Sequence, residues 1–587
     1  MTKSGKRSPV GRGKSKKQTA TAKLDKQTPA TRFLQSGQGT LEQRKGINIL
    51  QLRGSYEEMG RQHAELAREI CGDVNLQYFG KVVYNLAAHS MPPLAGAINH
   101  SLKWVFHKRN HERLGKRMKA HLGAFAEVYG MSPVDAERVF MVPDIIHYLI
   151  GRAFPQYVAP PSCSSFFACG DMTDNGQVVI GRNFDFFGRG MWNTNNSVIV
   201  MHPTGGQRFC WLGTLGVPGS AQGINESGLF IALHTQFTRD VQTTGQPVFK
   251  ICHDLLADCH TLLEAIQRIQ SQPRLCGLTL FVVDTKKPAA AAIGFSANDL
   301  EVVYPVNDLL VQTNHYLTAA MQETLIAPYP WSRNSYGRRQ RLLDLLLEKR
   351  GGLSAKDVPT ALSDCWDIYE ERKRVTGHVV SGLNNCQSLV VSPGDDALYL
   401  AHADYPVCHS DRFQGFRISA LLAGESARYE IDDLPGGNQL DDNERTALTE
   451  YVDAWAAHMD HLNNDRAVYH LRRAMALLPE ETIFPRMAGL LLLIEKKYSQ
   501  ALPLLLRNTE YDYRDKLMEA EAHIWVGRCL DLLERRDEAK DHYRRAADMA
   551  LSPVSDAAQR HLKKPFTSRQ LFNVSPEFIV GTALSQY

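Results

Sequence analysis

Residues 161–187, PSCSSFFACGDMTDNGQVVIGRNFDFF, read as a β-hairpin around which the rest of the chain has to be fitted. The first strand, Cys163 to Cys169, is mostly small and aromatic. Thr173-Asp174-Asn175-Gly176 supplies the turn, because Asn-Gly tolerates positive φ at both central positions. Gln177 to Ile180 form the returning strand, which runs into Gly181-Arg182-Asn183-Phe184-Asp185. Antiparallel pairing then brings Arg182 and Asp185 back beside Cys163. A thiol next to a guanidinium and a carboxylate has the makings of an activated nucleophile: the cation favours the thiolate, and the carboxylate can orient an amine or a bound water. A buried hairpin with an Arg–Asp ion pair beside a structural cysteine fits the same residues. Cys169, six positions on, shares a face with Cys163 if the strand is regular and competes for the nucleophile role.

The chain around this hairpin is long, 587 residues and 65.8 kDa, which suggests two to four domains. With 43% hydrophobic and 22% charged residues it has the balance of a soluble globular protein. Eleven cysteines, an odd number without C-x-x-C pairs, argue against a secreted disulfide scaffold. The basic N-terminus lacks a following apolar core, so it is not read as a secretory signal, and no apolar run reaches the ~18 residues of a spanning helix. These features predict a soluble, cytoplasmic protein with no membrane span. The net charge of +4 owes much to residues 1–40, which are rich in Lys, Arg, Ser, Thr, Gly and Gln and are expected to be disordered. Lys14 to Lys17 could touch nucleic acid, but their neighbours include no aromatic residues for stacking, so a solvated tail and no nucleic-acid partner are expected.

Other chemistries find little support. There is no G-x-x-x-x-G-K-[ST] and no H-E-x-x-H. Gly294-Phe-Ser-Ala-Asn298 lacks the closing glycine of a serine nucleophile elbow. Cys252-His253 and Cys259-His260 recur seven apart on an expected helix over 247–270. The intervening Leu255 and Leu256 and the following Leu262 and Leu263 read as core, so neither a metal nor a cofactor is expected.

Order is expected from Ile47, in a strand to Leu52. In residues 53–63, RGSYEEMGRQH, Ser55 and Glu58 form a capping box that starts a helix. Residues 64–152 are largely helical by period, with breaks at Met91-Pro92-Pro93 and Ser132-Pro133. Further strands are expected over 196–202, 208–212, 230–234, 279–284, 290–295, 301–304 and 309–313, a helix over 336–349, and a last hairpin over 387–402. Residues 440–555 are helical and repetitive. Small residues recur at offsets of seven (Ala467 and Ala474, Ala539 and Ala546) and twelve (Gly489 and Ala501, Gly527 and Ala539). The step from Ala467 to Ala501, 34 residues, resembles the tetratricopeptide repeat, and an ordinary helical bundle fits as well. So few units are expected to lean on the neighbouring domain or on a partner protein. Residues 556–587 read as a tail.

C-[ST]-[ST] followed about twenty residues later by G-R-N-x-D, across a D/N-G turn, resembles the nucleophile hairpin of the cysteine N-terminal nucleophile (Ntn) hydrolases. G-[ST]-x-x-E-x-G-x-x-H at residues 54–63 narrows the resemblance to the acyl-coenzyme A:6-aminopenicillanic-acid acyltransferase family, relatives of the choloylglycine hydrolases and penicillin V acylases, and G-x-N-x-x-G-L at 223–229 is a second block that resembles the family. The resemblance covers roughly residues 47–425. It implies an α+β fold, a four-layer αββα sandwich with a leader segment (47–162) and a nucleophile segment (163–425), followed here by the all-α module.

The resemblance also implies self-cleavage between Ser162 and Cys163. The freed α-amino group, of unperturbed pKa roughly 7.7–8.0, then serves as general base. By resemblance Arg182 sits by the thiol, Asp185 holds the α-amino group or the substrate, and Asn314 in V-Q-T-N-H contacts the reacting centre. The choloylglycine-type oxyanion Asn is missing after G-x-N-x-x-G-L; His234 in A-L-H-T takes its place as a candidate. Arg338 is chosen for the family's late-helix arginine, with Arg333, Arg339 and Arg341 as competitors. The implied activity is hydrolysis or acyl transfer at amide bonds of small N-acyl compounds through an acyl-Cys163 thioester. The alternative is a catalytically silent Ntn fold that serves the helical module as an interaction scaffold.

Overall fold

The computed structural model describes residues 32–90, 92–153, 162–326, 328–437 and 440–584. Strands begin earlier than expected. Phe33–Ser36 and Gly39–Arg44 form an antiparallel meander ahead of Ile47–Gly54, so the end of the supposed disordered tail is part of a sheet. Residues 1–31, with Lys14 to Lys17, lie outside the described residues.

Period-two alternation dictates the architecture. In Asn196–Pro203, Val198 and Val200 face one way and Ile199 and Met201 the other; Leu229–Thr235 and Leu278–Asp284 behave alike. One set of side chains meets Phe167, Ile180, Leu389 and Val391 of a second sheet in a common inter-sheet core. The opposite set packs beneath helices. Both faces of each sheet are apolar, so each must be covered twice, which gives helix, sheet, sheet, helix.

The first sheet runs in the order Phe33–Ser36, Gly39–Arg44, Ile47–Gly54, Asn196–Pro203, Phe209–Thr214, Gln222–Asn225, Leu229–Thr235, Leu278–Asp284, Ala289–Phe295, Leu300–Val303. The second runs Leu309–Gln312, Ser164–Gly170, Gly176–Asp185, Asn385–Ser392, Ala397–Ala401, Arg412–Arg417, Leu434–Pro435. Neighbours are antiparallel except Ile47–Gly54 beside Asn196–Pro203, which are parallel. This join is the one departure from antiparallel order in the two sheets among the described residues. The connection there is about 140 residues of leader helices and hairpin, long enough for a crossover.

Tyr56–Cys71 carries the expected capping box: Glu58 N–H donates to Ser55 Oγ, and Ser55 N–H to the Glu58 carboxylate. The expected helix over 247–270 is two helices, Val248–Asp258 and Leu262–Ser271, broken at Cys259 and restarted by the Thr261 cap. The two Cys-His pairs therefore share no helix face. His253 bonds Tyr56 and Asp254, and His260 bonds Ser227. On the far side of the molecule the helix Tyr329–Glu348 covers the second sheet, starting seven residues earlier than expected.

The C-terminal helices, Asp442–Met459 to Val554–Lys563, stack largely as consecutive pairs. The recurring small residues mark where paired helices touch. A Cβ on Gly489 would come within 2.6 Å of Leu505, and one on Gly527 within 2.6 Å of Tyr543. The apolar core of the sandwich's outer face continues into this module without interruption. Residues 556–587 are no loose tail as far as they are described: the strands Ser575–Glu577 and Thr582–Leu584 pair, and the Tyr451 hydroxyl donates to the Phe578 carbonyl at 2.7 Å. Pro435-Gly436-Gly437, which joins the sandwich to the helical module, is packed as well. Gly436 N–H donates to the Asp411 carbonyl, and a Cβ on Gly437 would lie 2.3 Å from Thr360. No helix among the described residues is long and apolar enough to cross a membrane.

Candidate active site

Ser164–Gly170 and Gly176–Asp185 form the hairpin, with Ser164 opposite Asn183 and Ser165 opposite Arg182. The turn is longer than Thr173–Gly176 suggests. It spans 171–175, and positive φ falls on the flanking Gly170 (52°) and Gly176 (75°) rather than on Asn175. Cys163 precedes the first strand and packs on its helix-covered side, whereas Cys169 points into the inter-sheet core. The six-residue offset does not align them, because strand alternation begins only after Cys163. Pro160 and Pro161 lie outside the described residues.

The two serines after Cys163 follow the alternation, and each meets a buried arginine. Ser164 Oγ accepts from Arg338 Nη1 (2.8 Å) on the helix side; Ser165 Oγ accepts from Arg182 Nη1 (3.0 Å) between the sheets. Arg338 also donates to the Cys163 carbonyl (2.9 Å), to Asn314 Oδ1 (3.1 Å) and to Asn334 Oδ1 (2.9 Å). Arg182 donates to Gln222, to the Leu233 carbonyl (2.7 Å) and to His234 Nε2 (3.1 Å). The competing arginines are engaged elsewhere: Arg333 with Asp515, Arg341 with Asp364, Arg339 with the Val311 carbonyl.

A guanidinium can only donate, so His234 Nε2 is an acceptor and its proton sits on Nδ1. That Nδ1 is buried and has no hydrogen-bond partner among the described residues. Burial, reinforced by Arg182 and Arg338, holds the ring well below the usual imidazole pKa, so it is neutral. Asn314 is fixed by its Nδ2 on the Thr235 carbonyl (3.1 Å) and its main-chain N–H on Ser335 Oγ (2.9 Å), which leaves one amide hydrogen free to donate.

Asp185 lies on the other side of Cys163. Its carbonyl accepts from Cys163 Sγ at 3.7 Å, and its carboxylate accepts from Ser162 Oγ (2.7 Å) and Asn385 Nδ2 (2.8 Å). Burial pushes Asp185 up to about 6, against the pull of Asn385, Ser162 and the two arginines. A Cβ on Gly382 would stand 2.2 Å from this carboxylate, so only glycine lets the main chain pass there. Ser162 Oγ is also 3.0 Å from Asn384 Oδ1, and Asn384 Nδ2 is buried without a partner. Gly382, Asn384 and Asn385 escaped the sequence reading. The signal was there in S-G-L-N-N at 381–385, a turn-type cluster entering a strand.

The expectation of a cation-favoured thiolate is not met in the intact chain. Cys163 is 1% exposed, and burial pushes its thiol up despite the opposing pull of Arg182. Burial also brings Arg338 down to about 10. Two buried guanidiniums and one carboxylate leave the centre electropositive, a setting that favours a developing anion over a neutral thiol. No trio of His, Cys, Asp or Glu ligands gathers here among the described residues. Alongside lies a small apolar cavity of about 40 Å³, walled by Phe79, Phe184, Phe186, Trp192, Leu233 and Thr235 among others. Phe184 adjoins Asp185, and the Leu233 and Thr235 carbonyls receive Arg182 and Asn314, so cavity and polar centre share their walls.

Comparisons with known proteins follow this geometry. A family model described as acyl-coenzyme A:6-aminopenicillanic acid acyl-transferase matches residues 172–379. An uncharacterized protein of Archaeoglobus fulgidus is 21% identical over 348 residues, 53% of this chain and 56% of its own; the chain thus spans about half the length of that relative. A Caenorhabditis elegans N-acylethanolamine-hydrolyzing acid amidase ortholog aligns at 19% identity and a TM-score of 0.29, covering 40% of this chain and 93% of that one. A variant of the conjugated bile acid hydrolase of Clostridium perfringens aligns at 12% identity and a TM-score of 0.31, covering 47% of this chain and all of that one. Over residues 172–379, which carry Arg182, Asp185, His234, Asn314 and Arg338 and begin nine residues after Cys163, the chain resembles the acyl-coenzyme A:6-aminopenicillanic acid acyl-transferase family.

Proposed function

We propose that the chain matures by cleaving its own Ser162–Cys163 bond and then hydrolyses or transfers the acyl group of small N-acyl amides through an acyl-Cys163 thioester. The observation that carries this reading is the arrangement around Ser162–Cys163. Arg338 binds the Cys163 carbonyl, Asp185 binds the Ser162 hydroxyl, and Asn384 Nδ2 is left buried and unpaired nearby. A structural cysteine needs none of these, and each costs desolvation.

In maturation Cys163 Sγ attacks the Ser162 carbonyl carbon, the C–N bond breaks, and the nitrogen leaves as an amine carrying the thiol proton. Water then hydrolyses the thioester and frees Ser162 as a carboxylate. The new α-amino group supplies the base that an amide nitrogen cannot. In turnover it takes the thiol proton, the thiolate adds to the substrate carbonyl, and the leaving amine recovers the proton. Water or an acceptor amine then discharges the acyl-thioester. His234 Nδ1–H, the spare Asn314 amide hydrogen and Asn384 Nδ2 are the donors available to the oxyanion. The apolar lining of the cavity beside them favours a substrate with an apolar acyl group.

The test has two parts: intact-mass measurement of the purified protein for a new terminus at Cys163, and a panel of chromogenic acyl amides of graded acyl size. A new terminus with turnover that favours apolar acyl groups supports the proposal. A single uncleaved chain without turnover favours the silent scaffold.

A further inference from the structure

We propose that His107, His111 and Glu137 form a binding site for a divalent transition-metal ion of the zinc type, which ties the end of the helix Ala95–Asn110 to the helix Pro133–Phe140. His107 lies in the last turn of the first helix, and His111 opens the 3-10 turn that follows Asn110, with the two ring centroids 5.1 Å apart. Their Nδ1 atoms converge on the two oxygens of one carboxylate: His107 Nδ1 is 2.5 Å from Glu137 Oε2, and His111 Nδ1 is 2.7 Å from Oε1. The three potential ligand atoms lie within 4.8 Å of one another. Two imidazoles and a carboxylate suit zinc and its first-row neighbours.

Charge supplies the independent argument. Glu137 is 3% exposed, and its ion-pair partners among the described residues are these two histidines alone. The nearby cations are aimed elsewhere: Lys103 at Asp135, Arg138 at the Gly80 carbonyl and Asn99. A buried carboxylate with no Lys or Arg against it among the described residues, and two imidazole nitrogens converging on it, form a donor set that a dication would complete. A second trio, Glu450, Asp453 and His470, shows the contrast. There Arg473 pairs with Glu450 at 2.8 Å and Arg189 with Asp453, so cations are already built in.

The fit requires a small movement. Zinc bonds of about 2.0–2.2 Å in tetrahedral geometry hold ligand atoms about 3.3 Å apart. The two rings would therefore retreat from the carboxylate by about 0.6–0.8 Å, and as half-buried groups at 28% and 39% exposure they have room to do so. The alternative is a purely hydrogen-bonded cluster in which both Nδ1–H groups donate to Glu137.

The experiment uses the full chain stripped with a chelator and titrated with Zn²⁺ alone by calorimetry, with Co²⁺ as a spectroscopic probe. The expected result is one tight equivalent, proton release on binding, a raised thermal midpoint, and a cobalt spectrum without a thiolate charge-transfer band. His107→Ala and His111→Ala, changes at half-buried positions that should still fold, should each weaken binding more than about a hundredfold, beyond the 10–100-fold typical of losing an outer-shell partner. Cys163→Ala should leave binding unchanged. Absence of stoichiometric binding, binding that survives both histidine variants, or a thiolate band in the cobalt spectrum overturns the proposal.

Discussion

The Ser162 hydroxyl donates to the Asp185 carboxylate at 2.7 Å, so the residue on the leaving side of the Ser162–Cys163 bond occupies the group that a new α-ammonium at Cys163 would need. Cleavage would exchange one partner for the other: Ser162 departs, and the ammonium, a stronger partner for a buried carboxylate, takes over. The wild-type protein should therefore resolve into fragments of about 18 and about 48 kDa, scaling 65.8 kDa by 162 and 425 of 587 residues, which remain associated through the common core. Cys163→Ala should give one intact, inactive chain. Cys163→Ser should cleave slowly and fail to turn over, since a hydroxyl is far less acidic than a thiol. Activity from a wild-type chain that mass spectrometry shows to be uncleaved would sink the mechanism.

Asp185 gives that site a pH signature in the uncleaved form. Its usual value is 3.8, and burial raises it to about 6 in the fold. An acid raised on folding stabilises the fold below the unfolded pKa, and that contribution is lost as pH climbs through the folded one. The full shift corresponds to about 3 kcal/mol. Cys163→Ala and the double variant Cys163→Ala/Asp185→Asn should differ little in stability near pH 4. By pH 7 the Asn form should have gained about 3 kcal/mol relative to the Asp form. Denaturant unfolding of the pair across this range checks it, and a difference independent of pH would mean that Asp185 ionises freely.

Arg338 should not tolerate lysine. Its planar fork makes four hydrogen bonds at once, to the Cys163 carbonyl, Ser164, Asn314 and Asn334, which a single ammonium cannot reproduce. Arg338→Lys should lower kcat by about 10²–10³, the range seen when a preorganised donor is lost. Arg341→Lys, on the same helix but paired with Asp364, should stay near wild type. Equal effects from both would show that only bulk positive charge matters. Asn384→Ala should fall in the same range as Arg338→Lys if its free Nδ2 meets an oxyanion, and steady-state kinetics on cleaved protein would read both.

Much of this was legible in the chain because it is local. The hairpin follows from alternation and an Asn-Gly turn, the first helix from Ser55 and Glu58, and Arg182 and Asp185 from their distance along one strand. What escaped is set by approach between distant segments. Asn384 and Asn385 reach Ser162 and Asp185 only because Gly382 lets two stretches of main chain nearly touch. Cys163 misled for a related reason: the sequence places a cation beside the thiol, while the depth of burial, which outweighs that cation, belongs to the assembled layers. The broken helix at Cys259 and the early strands at Phe33 are boundary effects, fixed by a Thr261 cap and by sheet pairing rather than by period.

The C-terminal helices should prove inseparable from the catalytic half. The helix Tyr329–Glu348 carries Arg338, and five residues earlier Arg333 binds Asp515 of the module at 2.8 Å, with the guanidinium 3.9 Å from the Tyr369 ring. Arg374, buried in the loop region beside that helix, pairs with Glu481. The Gly377 carbonyl of the same loop accepts from Asn334, which in turn orients Arg338. Removing residues 440–587 would strip partners from both buried arginines and open the shared core, so the remainder should aggregate rather than turn over small amides. Asp515→Ala is the finer probe. Breaking a buried pair from one side costs about 3–5 kcal/mol, because Arg333 stays behind unpaired. The expected result is a clear loss in denaturant midpoint with a several-fold drop in kcat and little change in KM, since the change acts on the helix that holds Arg338 and not on the acyl cavity. A soluble, fully active 1–439 fragment, or an Asp515→Ala protein with wild-type stability, would show instead that the module is an independent attachment.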